Sequence, residues 1–392
     1  MSSKLYKFIK GRIGQFKRIE AACSGVDNIV WVHASSYGEF EESRPVIEAI
    51  KKRRPEFKFL VTFFSPSGYE YLRNDAIADF VFYLPLDTKS NAKRFLDIVR
   101  PKIVIVSISD YWLNFLRELR ARHIPTYLIS ARFLPEMVYF KPIGKAYLDA
   151  FKTCFTKIIV NSESSLDVLK TAGVDNSVLA GDPRMDRVNA IAAQEWNDPV
   201  VDRWSGGRKV FVAGSTLPDE DDECIIAAAN ANLGDKFLVI PHEQGKAQLS
   251  HLLSSFKGGA VLYTEAGADV EKAQVLIVNT VGMLSKLYRY GFAALVGSGF
   301  SGESPHSIIE AAAYGIPVSF GPLFGTQMHC KPMIEAGAAV AVQDRADFCR
   351  WYSRLKTDAD YLLAMGKAAA KYCRKGETVA DNIADIILAQ SE

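Results

Sequence analysis

Short apolar runs rich in β-branched residues alternate with amphipathic stretches along almost the whole chain. Such runs predict buried strands, and the stretches between them have the spacing of helices. Apolar strands that alternate with helices are typical of a parallel sheet whose two faces are both covered. In the first half of the chain, the predicted strands are residues 29–34, 57–64, 79–85, 102–108, 126–130 and 157–162.

A polar stretch at residues 192–209 interrupts the pattern, which then restarts. Because this stretch contains Pro199 and two adjacent glycines, we predict a linker here. It would separate a domain over residues 1–190 from one over residues 205–392, whose helical tail could pack back on the first domain. The second set of predicted strands is residues 209–215, 236–242, 260–265, 274–280, 293–299 and 316–321.

We therefore predict an α/β fold made of two doubly wound domains. At 392 residues, the chain is long for a single core and suits two domains. Ligands of doubly wound sheets bind in the crevice at the carboxyl ends of the strands. In a protein with two such domains, the cleft between them is the expected binding site.

Composition and charge exclude several classes of protein. Hydrophobic residues make up 48% and charged residues 23%, as in ordinary globular proteins, and a net charge of +2 gives no strong attraction to nucleic acid. Six cysteines without a CxxC spacing argue against a zinc site and a disulfide framework, and they suit a reducing cytosol. No Asp-x-Asp metal motif lies in a suitable loop, so we expect neither a metal nor a cofactor.

The sequence has no apolar segment of the roughly 18–20 residues that span a bilayer, and it shows no secretory signal. Its first 18 residues are basic, with Tyr6, Phe8 and Phe16 between the cations. This pattern fits either contact with an anionic membrane surface or a solvated terminal helix. We expect a soluble or peripheral protein.

Unusual residues follow the predicted strands at the edge where ligands are expected. In the first domain, Glu39 opens a helix after the first strand, and Asp110 follows a later strand. Each carboxylate is either a helix cap or a functional group held at the mouth of a strand. In the second domain, Ser215, His242 and Glu310 lie in loops near helix starts, as in phosphate cradles, but no Walker A or GxGxxG motif is present.

The segments WVHASSYGE, GDPRMDRV, AGST, PHE, VGMLSKLY and HSIIEAA follow one another along the chain. In this order they resemble the 3-deoxy-D-manno-octulosonic acid (Kdo) transferases of lipopolysaccharide synthesis. The resemblance extends from about residue 26 past residue 340, and residues 39–70 are particularly similar to Bacteroides-type forms. It implies a GT-B glycosyltransferase with two Rossmann-like domains that face each other across a cleft.

The resemblance also implies the reaction, in which Kdo moves from CMP-Kdo to a lipid A precursor with inversion at the anomeric carbon. The expected partners are the CMP-Kdo donor, the lipid A precursor and the inner-membrane surface, and nucleic acid is not expected. The protein would be peripheral at the cytoplasmic face of the bacterial inner membrane. Inversion requires a base opposite the leaving phosphate to take the acceptor's proton, and a carboxylate suits that role.

The family motifs imply a role for individual residues of this chain. Glu39 is the expected general base, with Asp110 and Arg184 as further catalytic residues, and Arg184 could stabilise the leaving phosphate without a divalent metal. The expected CMP-sugar contacts are Ser215, Pro241, His242, Val281, Gly282, Met283, Ser307, Ile308, Ile309 and Glu310. The expected acceptor contacts are Ser36, Gly38, Arg132, Lys141 and Lys145, the last three among apolar residues that suit acyl chains.

Several positions depart from the family pattern. Asn279 and Met283 stand where an aspartate and a glutamate are frequent, and Ser307 replaces a frequent asparagine. These changes remove side-chain contacts near the nucleotide, although backbone contacts can survive. Two alternatives therefore stay open: another GT-B nucleotide-sugar enzyme, such as a UDP-sugar transferase or an epimerase, and a non-catalytic nucleotide- or lipid-binding relative.

Titration calorimetry with CMP, UDP and UMP distinguishes a Kdo transferase from another GT-B nucleotide-sugar enzyme. A Kdo transferase should bind CMP more tightly than either uridine nucleotide, because its donor carries cytidine. A clear preference for UDP or UMP would contradict the Kdo transferase hypothesis and favour a UDP-sugar enzyme.

Overall fold

The computed structural model describes residues 3–73, 75–301, 304–325, 327–374 and 378–389. The chain divides into two compact units, each with one sheet. The first unit comprises Met1–Asp186 and Glu377–Glu392, and the second comprises Arg187–Gly376. Residues 1–2 of the basic N-terminal segment lie outside the described part of the chain.

The first unit contains a seven-stranded parallel sheet. Its strands are β1 (Ile29–Ala34), β2 (Lys58–Phe63), β3 (Phe80–Tyr83), β4 (Ile103–Ser107), β5 (Thr126–Ala131), β6 (Lys157–Val160) and β7 (Ser177–Leu179). They lie in the order β3-β2-β1-β4-β5-β6-β7. The direction of this order reverses between β1 and β4, so the loops after these two strands diverge and leave a crevice.

The second unit repeats this plan with its own seven-stranded parallel sheet. Its strands are β8 (Val210–Thr216), β9 (Phe237–Pro241), β10 (Ala260–Leu262), β11 (Val275–Ile277), β12 (Gly291–Val296), β13 (Val318–Phe320) and β14 (Ala339–Ala341). The order is β10-β11-β9-β8-β12-β13-β14, so the reversal lies between β8 and β12.

Helices cover the sheets, and many begin at a serine, threonine or aspartate whose side chain accepts a backbone N–H of the first turn. None of the described helices is both long and apolar enough to cross a bilayer. The helices are α1 (Ser3–Arg12), α2 (Gln15–Cys23), α3 (Tyr37–Arg53), α4 (Pro66–Leu72), α5 (Lys89–Val99), α6 (Leu113–Ala121), α7 (Lys145–Thr153), α8 (Glu163–Thr171), α9 (Arg184–Ala193), α10 (Pro199–Ser205), α11 (Glu220–Ala231), α12 (Lys246–Ser255), α13 (Leu284–Leu287), α14 (Ile308–Ala312), α15 (Cys330–Glu335), α16 (Arg345–Thr357), α17 (Ala359–Cys373) and α18 (Val379–Leu388).

The first sheet is buried on both faces. Trp31 of β1 packs into one hydrophobic cluster, while its neighbours Val30 and Val32 pack into another on the opposite face. Alternate residues of a strand point to opposite faces, so a strand buried on both sides is apolar at nearly every position. This explains why the strand predictions from continuous apolar runs all correspond to observed strands.

Two observed strands, β7 and β14, have no counterpart in the sequence prediction. Each is three residues long and only partly buried. A run this short gives no periodic signal, and only pairing with the adjacent strand of the sheet, β6 or β13, makes it a strand.

The residues predicted as a linker belong instead to the second unit, and part of them forms α10. Trp204 in this helix is fully buried, and its indole N–H donates to the carbonyl of Ala273 at 3.0 Å. The hydroxyl of Tyr263 donates to Asp198 at 2.7 Å. A polar composition therefore misled the prediction, because these polar groups bond to the second unit and the tryptophan fills its core.

The last helix, α18, belongs to the first unit, although the predicted second domain included this tail. Arg53 of α3 binds Asp381 at 2.6 Å and Asp385 at 3.2 Å, and the hydroxyl of Tyr127 donates to the carbonyl of Ile387 at 3.1 Å. The apolar face of α18 is buried against α3 and the sheet.

Replacing Trp204 with alanine tests whether α10 is an integral part of the second unit. The cavity should cost about 3–5 kcal/mol of unfolding free energy. Trp204→Phe keeps most of the packing and should cost clearly less. Urea unfolding followed by circular dichroism measures both variants, and an unchanged midpoint for Trp204→Ala would mean that this segment is a linker after all.

Candidate active site

Glu39 lies in the first turn of α3, next to the reversal in strand order of the first sheet. The hydroxyl of Ser36 caps α3 by accepting the Glu39 N–H at 3.4 Å. The Glu39 carboxylate reaches back to accept the N–H of Ser35 at 2.6 Å, as in a capping box. Its other oxygen accepts the hydroxyl of Ser109 at 3.1 Å. The carboxylate is thus both a helix cap and a group fixed between the loops after β1 and β4.

The loop after β4 has an unusual backbone. Ile108 and Asp110 have positive φ angles of 61° and 75°, a conformation that is costly for residues other than glycine. The loop is held by the Ser107 hydroxyl, which donates to the Glu39 carbonyl at 2.8 Å, and by the Ser35 hydroxyl, which donates to the Asp110 carboxylate. These bonds join the ends of β1 and β4 and bring both carboxylates into one crevice.

His33 and Trp112 lie beside Asp110 in this crevice, and neither was predicted as a site residue. The Trp112 indole N–H donates to Nε2 of His33 at 3.0 Å, and the same nitrogen lies 3.4 Å from Asp110. Nδ1 of His33 lies 2.9 Å from the hydroxyl of Thr62. His33 lies inside an apolar strand, where a histidine alone gives no signal that it contacts an active-site carboxylate.

The two carboxylates differ in proton affinity. Burial raises the pKa of Glu39, and the charge of Asp110 acts in the same direction, although the hydrogen bonds from Ser35 and Ser109 lower it in part. Burial also acts to raise the pKa of Asp110, but its contacts with His33, Ser35 and Trp112 outweigh burial and lower it. Neighbouring carboxyl groups whose pKa values are driven apart are typical of acid–base sites.

Arg184 is shared between two carboxylates. Its guanidinium binds Asp182 through Nε at 2.9 Å and Nη2 at 2.7 Å, and Nη1 lies 3.3 Å from Glu42. Burial raises the pKa of Glu42 to about 7; Arg184 acts to lower it, and the charges of Asp182 and Glu39 raise it. Burial lowers the pKa of Arg132, and the positive charge of Arg184 lowers it further, so the two guanidinium groups are neighbours.

Glu42 and Asp182 were not predicted as site residues. Glu42 follows Glu39 by three residues on α3, a spacing that places both side chains on one face of a helix, and this was the available signal. Asp182 precedes Arg184 in the GDPRMD segment, but only the fold reveals that Arg184 is bound to a carboxylate on each side.

Of the predicted acceptor residues, Ser36 and Gly38 lie beside Glu39 in the first turn of α3, and Arg132 lies near Arg184. Lys141 and Lys145 are exposed on a segment of two short 3-10 helices, Val138–Phe140 and Pro142–Gly144, that leads into α7. On the same segment the side chain of Ile143 is 84% exposed.

In the second unit, the predicted nucleotide contacts lie on loops at the carboxyl edge of the sheet. His242 directly follows β9, and its ring stacks on that of His306 with a centroid distance of 4.3 Å. Val281, which is 87% exposed, and Gly282, with a φ of 85°, form a turn before α13. Met283 follows them, and its sulfur accepts the Thr280 hydroxyl at 3.0 Å.

Four further predicted nucleotide contacts lie at the start of α14, where Ser307 precedes the helix and Glu310 is in its first turn. Ile308 and Ile309 are fully buried, so their side chains serve the core and only their backbone could meet a ligand.

Two predicted nucleotide contacts remain: Pro241 is the last residue of β9, and Ser215 is the next-to-last residue of β8, with a positive φ of 55°. Ser298 after β12 also has a positive φ, of 84°. Asp221 joins these two loops, because its Oδ2 accepts the N–H of Leu217 at 3.0 Å and that of Ser298 at 2.7 Å. A side chain at Gly297 would come within 2.6 Å of this carboxylate oxygen, which explains the glycine. In the second unit, too, a carboxylate thus joins two loops at the strand reversal, and here both loops contain a residue with positive φ.

The first unit matches a family model described as 3-deoxy-D-manno-octulosonic-acid transferase (kdotransferase) over residues 8–187. Curated relatives with the same function extend the match over most of the chain. The transferase of Bordetella pertussis is 27% identical over 361 residues, covering 87% of this chain and 82% of the relative. The transferase of Haemophilus influenzae is 25% identical over 330 residues, covering 81% of this chain and 76% of the relative.

The chain is similar to Kdo transferases over most of its length, and its first unit matches their family model. The resemblance predicted from the motifs is therefore confirmed, and the chain is a glycosyltransferase of lipopolysaccharide synthesis. This similarity to named transferases also favours an enzyme over the non-catalytic alternative.

Solved structures confirm the GT-B fold that was predicted for this chain. A UDP-N-acetylglucosamine 2-epimerase from Neisseria meningitidis, bound to UDP-GlcNAc, has a TM-score of 0.65 at 16% identity and covers 92% of this chain and 98% of its own. Another UDP-N-acetylglucosamine 2-epimerase has a TM-score of 0.63 at 16% identity, with coverage of 92% and 96%. At such low identity the likeness establishes the fold alone.

Asp110→Asn tests the electrostatic role of the strained loop. The lowered pKa means that ionised Asp110 stabilises the fold above the pKa of an unfolded aspartate, about 4, and that this contribution is lost as the pH falls through the lower native pKa. Asparagine tolerates the left-handed backbone, so the substitution changes mainly the charge. We expect a loss of about 1–3 kcal/mol at pH 7.

The loss should narrow as the pH falls below about 4, which urea unfolding at several pH values measures. Asp149→Asn, at an exposed position of α7, is the matched control and should have little effect. A stability difference that is the same at pH 3 and pH 7 would contradict the role of the Asp110 charge.

Proposed function

We propose that this Kdo transferase uses CMP-Kdo as its donor and a lipid A precursor as its acceptor, with inversion and with Glu39 as the general base. The observation that carries the proposal is the Glu39 carboxylate, held by the Ser35 N–H and the Ser109 hydroxyl in the crevice where the strand order reverses. A base held by two hydrogen bonds does not have to be ordered when the substrate arrives.

Glu39 is suited to accept a proton. Its raised pKa makes it more basic than an exposed glutamate, and the neighbouring ionised Asp110 favours uptake of a proton. In the proposed step, the acceptor hydroxyl oxygen attacks the anomeric carbon of Kdo while Glu39 takes the hydroxyl proton. The bond from the anomeric carbon to the phosphate oxygen breaks, and CMP takes the electron pair of that bond. It leaves from the face of the sugar opposite the attacking oxygen.

Two guanidinium groups lie near this base and support an anionic substrate. Arg184 and Arg132 are neighbours, and the charge of Glu39 acts on Glu42, which contacts Arg184. Guanidinium groups form strong, directional hydrogen bonds to phosphate oxygens. We propose that Arg184 stabilises the developing charge of the leaving phosphate and that Arg132 binds an acceptor phosphate.

The second unit is the proposed site of the donor nucleotide. The loops after β8, β9 and β12 lie at the carboxyl edge of its sheet, where doubly wound domains bind nucleotides. The stacked rings of His242 and His306 offer nitrogen atoms beside the first turn of α14, which contains Glu310. A carboxylate of this kind can accept hydrogen bonds from both ribose hydroxyls.

An acylated, phosphorylated acceptor requires cations beside apolar surface, and the first unit offers two such places. Ile9 on α1 and Ile13 just after it are exposed among basic residues, and Ile13 is 67% exposed. On the second segment, Ile143 projects between Lys141 and Lys145. Such surfaces favour an anionic membrane interface, so we propose that the enzyme works at the cytoplasmic face of the inner membrane.

Helix α1 is fixed to the carboxyl edge of the first sheet, the edge at which Glu39 lies. The Arg12 guanidinium packs 3.8 Å from the ring centre of Phe8 and donates to the carbonyl groups of Phe64 at 3.0 Å and Leu84 at 3.1 Å, just after β2 and β3. Phe64 in turn packs on Trp112, with ring centres 4.9 Å apart. An interfacial helix at this edge would bring a membrane-borne acceptor toward the base.

Glu39→Gln is the decisive test of the proposed function. The amide keeps the shape of the side chain but cannot accept the acceptor's proton, so kcat should fall at least about 100-fold with CMP-Kdo and a lipid A precursor. Calorimetric CMP binding should be unchanged, because the base does not contact the nucleotide. Glu48→Gln, an exposed position on the same helix, is the matched control and should keep full activity. Near-normal turnover of Glu39→Gln would rule out this base.

A further inference from the structure

Arg184 is already bound on two sides before any substrate arrives. Asp182, which is 3% exposed, holds two of its nitrogens, and Glu42 holds a third at 3.3 Å. The Asp182 contact is made within the segment that leads into α9, whereas the Glu42 contact comes from α3. The guanidinium is therefore anchored by its own segment, and Glu42 occupies a donor that could otherwise bind a ligand.

The crevice has more negative than positive charge. Glu39, Glu42, Asp110 and Asp182 contribute four carboxyl groups, whereas Arg132 and Arg184 contribute two cations. A phosphate group that enters such a site is repelled unless one carboxyl group becomes neutral. The groups that act on Glu42 are Arg184, the first residue of α9, Asp182, which lies just before that helix, and Glu39 from its own helix.

We propose that Glu42 is a positioning residue that takes up a proton when a substrate phosphate binds Arg184, and so sets the pH above which that phosphate is bound weakly. The proposal rests on the proposed function, because it assigns Arg184 to a substrate phosphate. Ionised Glu42 competes with the phosphate for Nη1, whereas neutral Glu42 removes both the competition and one negative charge.

The geometry favours Glu42 over the other carboxyl groups for this role. Asp182 is bound to Arg184 through two of its nitrogens, Asp110 has a lowered pKa, and Glu39 is needed as the base. Glu42 has a single contact with Arg184, lies in a largely buried position and titrates at about pH 7. It is therefore the carboxyl group whose charge changes most easily when an anion enters.

The pH dependence of kcat/KM for CMP-Kdo tests the proposal. For the wild-type enzyme we expect kcat/KM to fall above pH 7, by up to about tenfold per pH unit, as Glu42 ionises. Glu42→Gln should abolish this fall, and its kcat/KM should exceed that of the wild type at pH 8–9. The kcat/KM of Glu48→Gln should show the same pH dependence as that of the wild type. A Glu42→Gln variant that keeps the fall, or that loses activity equally at every pH, would overturn the proposal, because the latter result indicates a purely structural contact.

A second measurement does not depend on transferase activity. In protein labelled with ¹³C at the glutamate carboxyl groups, one resonance should titrate near pH 7 and be absent in Glu42→Gln. Inorganic phosphate at saturating concentration should move this titration to higher pH in the wild type, and Arg184→Gln should abolish the phosphate effect.

These results separate the two proposals. If phosphate shifts the titration while CMP-Kdo is not turned over, the proposed donor fails and the role of Glu42 stands. A titration that does not respond to phosphate would overturn the role of Glu42, whatever the transferase activity.

Discussion

The reversal of strand order between β1 and β4 is the constraint on which the site of the first unit depends. It separates two loops that are otherwise neighbours, and a small set of hydrogen bonds joins them again across the gap. Ser107 donates to the backbone of Glu39, Ser109 donates to its carboxylate, and Ser35 donates to Asp110. Without these bonds the loop after β4, with two residues in left-handed conformation, would have no reason to keep its strained shape.

The same bonds set the chemistry of the crevice. Burial makes ionised carboxyl groups costly, so each one needs donors or cations to stay charged. The contacts of Asp110 with His33, Ser35 and Trp112 outweigh burial and lower its pKa, whereas burial outweighs the stabilising contacts of Glu39 and Glu42 and raises theirs. The order of proton affinities thus follows from the balance between burial and stabilising contacts at each carboxyl group, and it suits a site that must accept a proton beside an anionic leaving group.

The second unit uses the same construction with different residues. Its strands reverse between β8 and β12, the loops after them contain Ser215 and Ser298 in left-handed conformation, and Asp221 accepts backbone N–H groups from both. Burial raises the pKa of Asp221 to about 7, although these two hydrogen bonds act to lower it. In both units, a carboxylate joins the two loops at the crevice that the order of the strands creates.

The sequence by itself determined the α/β class, the strands of both sheets that give a clear apolar signal, the family and the position of Glu39 at a strand end, because these depend on local pattern and local motifs. Tertiary structure decided the rest. β7 and β14 exist only through pairing with a neighbour, α10 is fixed by the burial of Trp204, and α18 joins the first unit through Arg53. The sharing of Arg184 between Asp182 and Glu42 joins residues about 140 positions apart in the sequence, and a contact between such distant residues leaves no trace in any local pattern.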